Sequence, residues 1–433
     1  MSALLSVILL LGLSAHATPQ KAAAPLPYAG QTLHVLSFQD AHARAVAAKL
    51  GDFEALTGAK VELDAIAANQ VAAKIGTDQA AGGSYDLYTV DEPFVPQLAP
   101  FFLPYSAWPK SRLPALAETK LEAFLPAALA GGSYRETLLG LPVNGNVYMY
   151  VHRQDLFSDP QEQKAFRERF GRPLAPPQTM AELRDVAEFF TRPPKLYGFA
   201  PFTKSSEGTT VEAMWILASF GVELFDAKGE AAFDAAKAAE AFAYYKDMMR
   251  FAPPGAGNWH HAERMAMYGK GRLAQIMTWP SYVKDLENPE KSLVVGKNAY
   301  ALPPAAPGGS PAPISGTWTA AIAKTSKSQE LAAEFARFWA SRDFGRKLAL
   351  AGMNPARRDL LTDPELLRHN PWFPGVLLNF EKAVVRPRLP DYKVASDLVT
   401  RHFTAMISNQ EQPAEAAQAL RRDLQAMAQR TGH

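Results

Sequence analysis

The stretch Ser315-Gly-Thr-Trp-Thr-Ala-Ala-Ile-Ala323 decides how this chain is read. Its small and β-branched residues predict a short buried strand carrying one exposed-looking indole, Trp318. Before it, Tyr300-Ala-Leu-Pro-Pro-Ala-Ala-Pro-Gly-Gly309 reads as a strand end running into a stiff Pro/Gly loop. After it, Thr325-Ser-Lys-Ser-Gln-Glu-Leu331 opens a helix. Ser326 and Gln329 have the spacing of a capping box, in which each side chain satisfies an unpaired amide of the first turn. Leu331, Phe335, Phe338 and Trp339 give that helix one apolar face. Gly352-Met-Asn-Pro-Ala-Arg357 follows as a turn.

The amino-terminal side has the same grammar. Thr32–Phe38 and Lys60–Ile66 are strand candidates. Between them Val46, Leu50 and Phe53 recur at helical spacing, and Gly58 is a fitting helix stop. Strand, helix, strand over this distance is a βαβ unit. Ligands of open α/β sheets lie beyond the carboxyl ends of the strands. That rule places Phe38, Gln39 and Asp40 at a site edge, although Asp40 serves equally as a helix cap. The rule applies again in Ser84-Tyr-Asp-Leu-Tyr-Thr-Val-Asp91-Glu92-Pro93, where Asp91 and Glu92 end a strand. An ionised carboxylate accepts two or more hydroxyl hydrogens, so such residues suit a hydroxyl-rich ligand. Neighbouring residues at a strand end point apart, so Glu92 is the weaker of the two.

Further along, Leu139-Gly-Leu-Pro-Val-Asn-Gly-Asn-Val-Tyr-Met-Tyr-Val-His-Arg-Gln-Asp-Leu-Phe157 reads as a polar break followed by a strand. Asn144 and Asn146 offer donors and acceptors together, which matches both faces of a hydroxyl; Asn-Gly-Asn is also ordinary turn chemistry. Thr179 and Glu182 form a second capping box, ahead of the stripe Leu183, Val186, Ala187 and Phe190. Phe199 to Glu207 is expected as a strand and polar turn, Val211 to Gly221 as a helix, and Ala231 to Phe251 as a long alanine-rich helix. Tyr268-Gly-Lys-Gly-Arg-Leu-Ala-Gln-Ile-Met-Thr-Trp279-Pro280 is a strand candidate ending in an indole. Leu420, Leu424 and Met427 mark a final amphipathic helix.

In order and spacing these segments resemble the family 1 extracellular solute-binding proteins, the sugar-collecting subunits of bacterial ABC importers. The resemblance runs from about Gln31 to the last helix. His152 stands where the family has Asn, Gln154 looks inserted, and Met180 replaces a Trp. The resemblance implies an α/β fold of two lobes, the type II periplasmic-binding-protein architecture, hinged by several crossing strands. It makes 139–157 the first crossing and 268–280 the second, with Trp318 near a third. It places Glu207, Glu212 and Trp215 as ligand contacts, although Trp215 inside Ala-Met-Trp-Ile-Leu also reads as core. Arg357 and Tyr392 match late family positions, Tyr392 within Arg386-Pro-Arg-Leu-Pro-Asp-Tyr. Trp279 and Trp318 are expected to be flat platforms for the C–H face of a sugar or polyol. A membrane permease of an ABC importer is the implied partner, and the chain is expected to act as a monomer.

Composition bounds the rest. At 433 residues two lobes are the default. Lys+Arg 45 against Asp+Glu 43, net +2, gives no basis for nucleic-acid binding. Zero cysteines exclude a disulfide framework, thiol catalysis and a lipidated terminal Cys. Ala3 to Leu13 has the length of an exported leader, with Ala15-His16-Ala17 as its cleavage pattern. The expected organisation is a signal peptide over 1–17 and a linker over 18–29. An N-terminal lobe is then built from 30–142 and 279–322, and a C-terminal lobe from 143–278 and 323–433. His260-His261 lacks a further spaced ligand, so neither a metal nor a cofactor is expected. Nucleophile elbow, phosphate loop, dinucleotide fingerprint and zinc spacing are absent from their required contexts, so no catalytic residue is expected. The competing readings are a binder of polyamine or ferric ion, or an enzyme acting on glycosides.

Overall fold

The structure, a computed structural model, describes residues 26–226 and 228–431. The expected leader and most of the expected linker lie outside them. Two sheets organise the described residues. The first contains β1 (Thr32–Phe38), β2 (Lys60–Ile66), β3 (Leu87–Asp91), β4 (Gly140–Asn144) and, from much later in the chain, a strand at Trp318–Ile322. The second contains β5 (Met149–Arg153), β6 (Gln275–Thr278) and β7 (Asn298–Ala301). The Trp318–Ile322 strand is therefore β8. This is the two-lobed α/β architecture expected from the order of segments.

In the first sheet the order is β2-β1-β3-β8-β4. β1 runs parallel to β2 and β3, and β8 runs antiparallel to β3 and β4. One face buries Leu33, Val35, Leu141, Ala320 and Ile322 under helices Leu50–Thr57 and Gln329–Ala340. The other buries Leu36, Tyr88, Val90 and Ala321 with Val71 and Ile75 of the helix Ala68–Ala80. The β1-helix-β2 unit ends its helix at Gly58, which takes the left-handed φ of 76° that stops a helix without side-chain strain. Tyr28 packs into this lobe and its hydroxyl donates to Glu334, so the last residues of the expected linker are part of the fold.

The second sheet packs Tyr148, Tyr150 and Met277 against helices Met180–Phe190 and Glu207–Ser219. The Thr179/Glu182 capping box forms as expected. Helix Pro413–Thr431 buries Leu420, Leu424 and Met427 in the same core.

Several expectations are corrected. Residues 268–280 are not a crossing: β6 lies inside the second sheet, paired with β5 from Met149↔Thr278 to His152↔Gln275. β7 also pairs with β5, so 298–301 belongs to the second lobe, not the first. Conversely, helix Gln329–Ala340 covers the first sheet, although it follows 323. The Ser326/Gln329 capping box does not form. Ser326 Oγ donates to Asp86 Oδ1 at 2.6 Å instead, and Ser328 takes the cap position. Phe199 to Glu207 is not a strand; Glu207 is the first residue of the helix Glu207–Ser219. The alanine-rich helix spans Ala235–Met248.

Three backbone segments lie side by side where the sheets meet. Tyr148 N donates to Ile314 O at 2.7 Å, and Gly316 N to Asn146 O at 2.8 Å. Ser315 N donates to Val384 O at 2.9 Å, and Val384 N to Pro313 O at 2.8 Å. Such a band of paired backbone is what two lobes can flex about.

Candidate functional site

The strand directions bring four expected residues to one edge of the first sheet. Phe38 and Asp91 end the parallel strands β1 and β3. β8 runs the other way, so it begins at that edge, and Trp318 pairs with both Asp91 and Asn144. The Phe38 and Trp318 rings stack there with centroids 3.6 Å apart. Gln39 is exposed just beyond. Asp40 is the helix cap of the simpler reading, accepting from Ala43 N at 2.8 Å. Burial pushes its carboxyl up to about 6, against the backbone amides that favour its ionised form.

Facing this edge, the second lobe presents Trp279 at the start of helix Pro280–Leu286. Its indole is half-buried and leans on Tyr148 at 5.1 Å between centroids. It lies over Gly316, where a Cβ would come within 2.7 Å of Trp279 Cη2. The ring occupies the space a side chain would take, so any larger residue there has to displace the indole. Tyr282, one turn on, is 41% exposed and lies against the buried His261 ring, with centroids 3.8 Å apart and planes tilted by 41°. Asn146 Nδ2 reaches Ser281 Oγ at 3.5 Å, while its buried Oδ1 has no partner.

The two halves are tied by one guanidinium. Arg386 pairs with Asp91 through both terminal nitrogens, and Nη1 also reaches Glu207 Oε1 at 3.1 Å. Tyr392 and Ser396 donate to the same Glu207 carboxylate. Burial opposes the Arg386 charge, but Asp91, Glu92 and Glu207 outweigh it and hold the group well above the usual arginine range. Burial raises Glu207 above the ordinary carboxylate range, with Arg386 opposing that shift. Asp91 and Glu207 keep 14% and 25% of their side chains exposed. Glu92 keeps 0%: its Oε2 accepts from Ser315 Oγ at 2.5 Å and Thr317 N at 3.2 Å, and its Oε1 lies 3.6 Å from Arg386 Nε. It anchors the hinge and does not reach solvent.

Other expected contacts are placed elsewhere. Trp215 is 1% exposed in the second-lobe core. Its helix is apolar nearly all round, so the residue has no solvent-facing side to occupy. Glu212 is wholly buried and pairs with Arg264 at 3.3 Å, taking hydroxyls from Tyr148 and Tyr245. This knot stands behind Trp279 through the Tyr148 ring and does not touch the cleft. Arg357 turns to Asp359 at 3.0 Å and 2.9 Å and lies over Phe124. Tyr392 is 1% exposed and acts on Glu207, not on a solute. Arg386 and Tyr282 were missed. Arg386 sits within a quoted motif, but its partners are 295 and 179 residues away, so no local spacing marks it.

Among the described residues no group of three or more His, Cys, Asp or Glu is placed to hold a metal ion. His261 bonds Thr278 and Arg264, and burial lowers its basicity well below the ordinary histidine range. Among the described residues no helix is long and apolar enough to cross a membrane.

Comparison with known proteins bears on this arrangement. Residues 39–344 match the family described as bacterial extracellular solute-binding protein. A probable amino-acid ABC transporter periplasmic-binding protein of Sinorhizobium fredii is 26% identical over 420 residues, 96% of this chain and 94% of that protein. A mannitol-binding protein of Pseudomonas aeruginosa is 24% identical over 393 residues, covering 84% and 85%. Among solved structures, a solute-binding protein of Agrobacterium radiobacter in complex with ribitol superposes with a TM-score of 0.80 at 23% identity. That alignment covers 93% of this chain and all (100%) of that one. A maltose-bound protein of T. maritima gives 0.79 at 22%, covering 92% and 99%. At these identities the structural likenesses establish the shared fold.

Proposed function

The chain belongs to the bacterial extracellular solute-binding proteins, and on that premise we propose that it captures a sugar or sugar alcohol between its lobes for an ABC importer. The observation that carries this reading is the meeting of Asp91 and Glu207, one from each lobe, on Arg386. A solute lying beside that cluster meets two partly exposed carboxylate side chains, one from each half. Trp279 supplies an apolar wall, with the Trp318/Phe38 stack opposite. An apolar wall with a few placed polar groups is how small-molecule sites are generally built, and carboxylates are strong acceptors for hydroxyls.

Relatives supply the solute class. One is named for mannitol, and similar folds hold ribitol and D-mannitol. Another relative is named for amino acids. An amino acid needs a cation for its carboxylate, and here Arg386 and Arg264 are both already held by carboxylates. The sugar or sugar-alcohol reading therefore fits the cleft better. Leader, export, action as a monomer without nucleic acid, and absence of catalysis complete the proposal. The partner is the membrane permease.

A thermal-shift panel tests it. D-mannitol, ribitol, maltose, amino acids, spermidine and ferric ion are each added to the purified chain. A ligand that binds the folded state alone raises stability by about 2.7 kcal/mol at a hundred times its Kd. A shift from a polyol or sugar is expected. A shift from an amino acid, spermidine or iron alone, or turnover of maltose, overturns the reading.

A further inference from the structure

Arg386 comes from the hinge itself. Two residues before it, Val384 pairs with Pro313 and Ser315 in the backbone band that joins the lobes. From there the side chain spans the lobe boundary, with Asp91 at the end of β3 on one side and Glu207 at the head of helix Glu207–Ser219 on the other. The guanidinium is 2% exposed, so salt and solvent screen it little.

Both flanks are fixed. Arg388 donates to the Glu92 and Ser133 carbonyls, which pins the hinge segment to the first lobe. Tyr392 and Ser396 hold Glu207 from within the second lobe, so Glu207 cannot swing after the cation. When the lobes part, Asp91 and Glu207 separate, and one guanidinium cannot remain with both. The Arg386–Glu207 contact is the one that breaks.

We propose that Arg386 is a latch built into the hinge: by pairing with Asp91 and Glu207 together it shifts the lobes toward the closed arrangement before a solute arrives. The cation is part of the chain, so its contribution to closure does not depend on solute. A protein whose binding-competent state is more populated binds with a lower apparent Kd. Arg386 is thus a positioning residue for capture, acting through two carboxylates that face the solute. Only this consequence for affinity rests on the solute-binding reading above.

The chain has 0 cysteines, so two can be introduced for spin labels without interference. Asn69→Cys and Asn258→Cys are exposed positions, one in each lobe. Interlobe distances are measured by pulsed electron resonance in solute-free buffer. The full chain should show a dominant short distance, Arg386→Ala a dominant longer one, and Arg386→Lys a partial return. Removing Arg386 strands three carboxylates and could prevent folding. Glu207→Gln therefore serves as the second variant, expected to move the distribution in the same direction. A distribution in Glu207→Gln that superimposes on the unmodified chain, or an unmodified chain that is already open, overturns the latch. Calorimetry with D-mannitol is the separate arm, in which Arg386→Lys should weaken affinity about twofold, in proportion to its partial loss of the closed fraction. Shifted distances with no D-mannitol binding support the latch and count against the sugar-alcohol reading. Unshifted distances with D-mannitol binding intact remove the latch alone.

Discussion

Trp318 lies flat on Phe38, with ring centroids 3.6 Å apart and planes 18° from parallel. The contact joins the carboxyl end of β1 to the start of β8, two strands that β3 separates. One face of the indole is therefore committed to packing, and the residue is only 7% exposed. Trp279 is different: it is half-buried and supported by Tyr148.

The two tryptophans should accordingly separate in mutagenesis. Trp318→Ala removes a buried stack and should destabilise the protein by about 3–5 kcal/mol. Trp279→Ala should weaken sugar or polyol binding by roughly 2 kcal/mol, about thirtyfold, with a smaller loss of stability. Urea unfolding and calorimetric titration of both variants check this.

Gly316→Ala tests the same wall from the other side. Its methyl would enter the space of the Trp279 ring. The partly exposed indole can move aside, so the expected outcome is a loss of affinity with a melting temperature lowered by only a few degrees. A drop in stability as large as that of Trp318→Ala would show that the ring is fixed by the core instead.

Asp40 links stability to pH. Its folded pKa of about 6 lies above the ordinary carboxyl value of 3.8. Between those values the native state holds a proton that the unfolded chain has lost. Stability is therefore highest at the acidic end of this window and falls as pH rises through about 6. Asn caps helices as well as Asp, so Asp40→Asn should match the parent near pH 4 and exceed it above pH 7. Urea midpoints at the two pH values read the difference.

Glu212 and Arg264 are a wholly buried pair. Glu212→Ala leaves the guanidinium uncompensated and should cost about 3–5 kcal/mol. Replacing both residues by Met should cost much less than the sum of the single changes, because no lone charge remains. A double-mutant cycle in urea measures the coupling.

Much of the fold was legible because its signals are local. Thr32–Phe38 and Lys60–Ile66 stand where the pattern put them, and Gly58 closes the helix between them. The lobe boundaries were less so. β7 and the helix Gln329–Ala340 choose their sheets by contacts made far along the chain, and neither strand period nor helix period records which sheet a segment joins. The site divides in the same way. Asp91 followed from the strand-end rule; Asn144, read as part of a polar break, ends β4 and is only 2% exposed. Trp215 and Glu212 were drawn inward by a helix with no polar face, and Arg357 was taken by Asp359 two residues on. Arg386 carries the interlobe contact, and an arginine between valine and proline announces nothing of it in the sequence.

The central claim is that a polyhydroxylated solute binds between the lobes against Trp279. Calorimetric titration of the full chain and of Trp279→Ala with D-mannitol, ribitol and maltose tests it most directly. The account predicts one-site binding of at least one of the three to the full chain and a large loss of that affinity in the variant. Absence of binding by all three, or equal affinity in the two proteins, would contradict it.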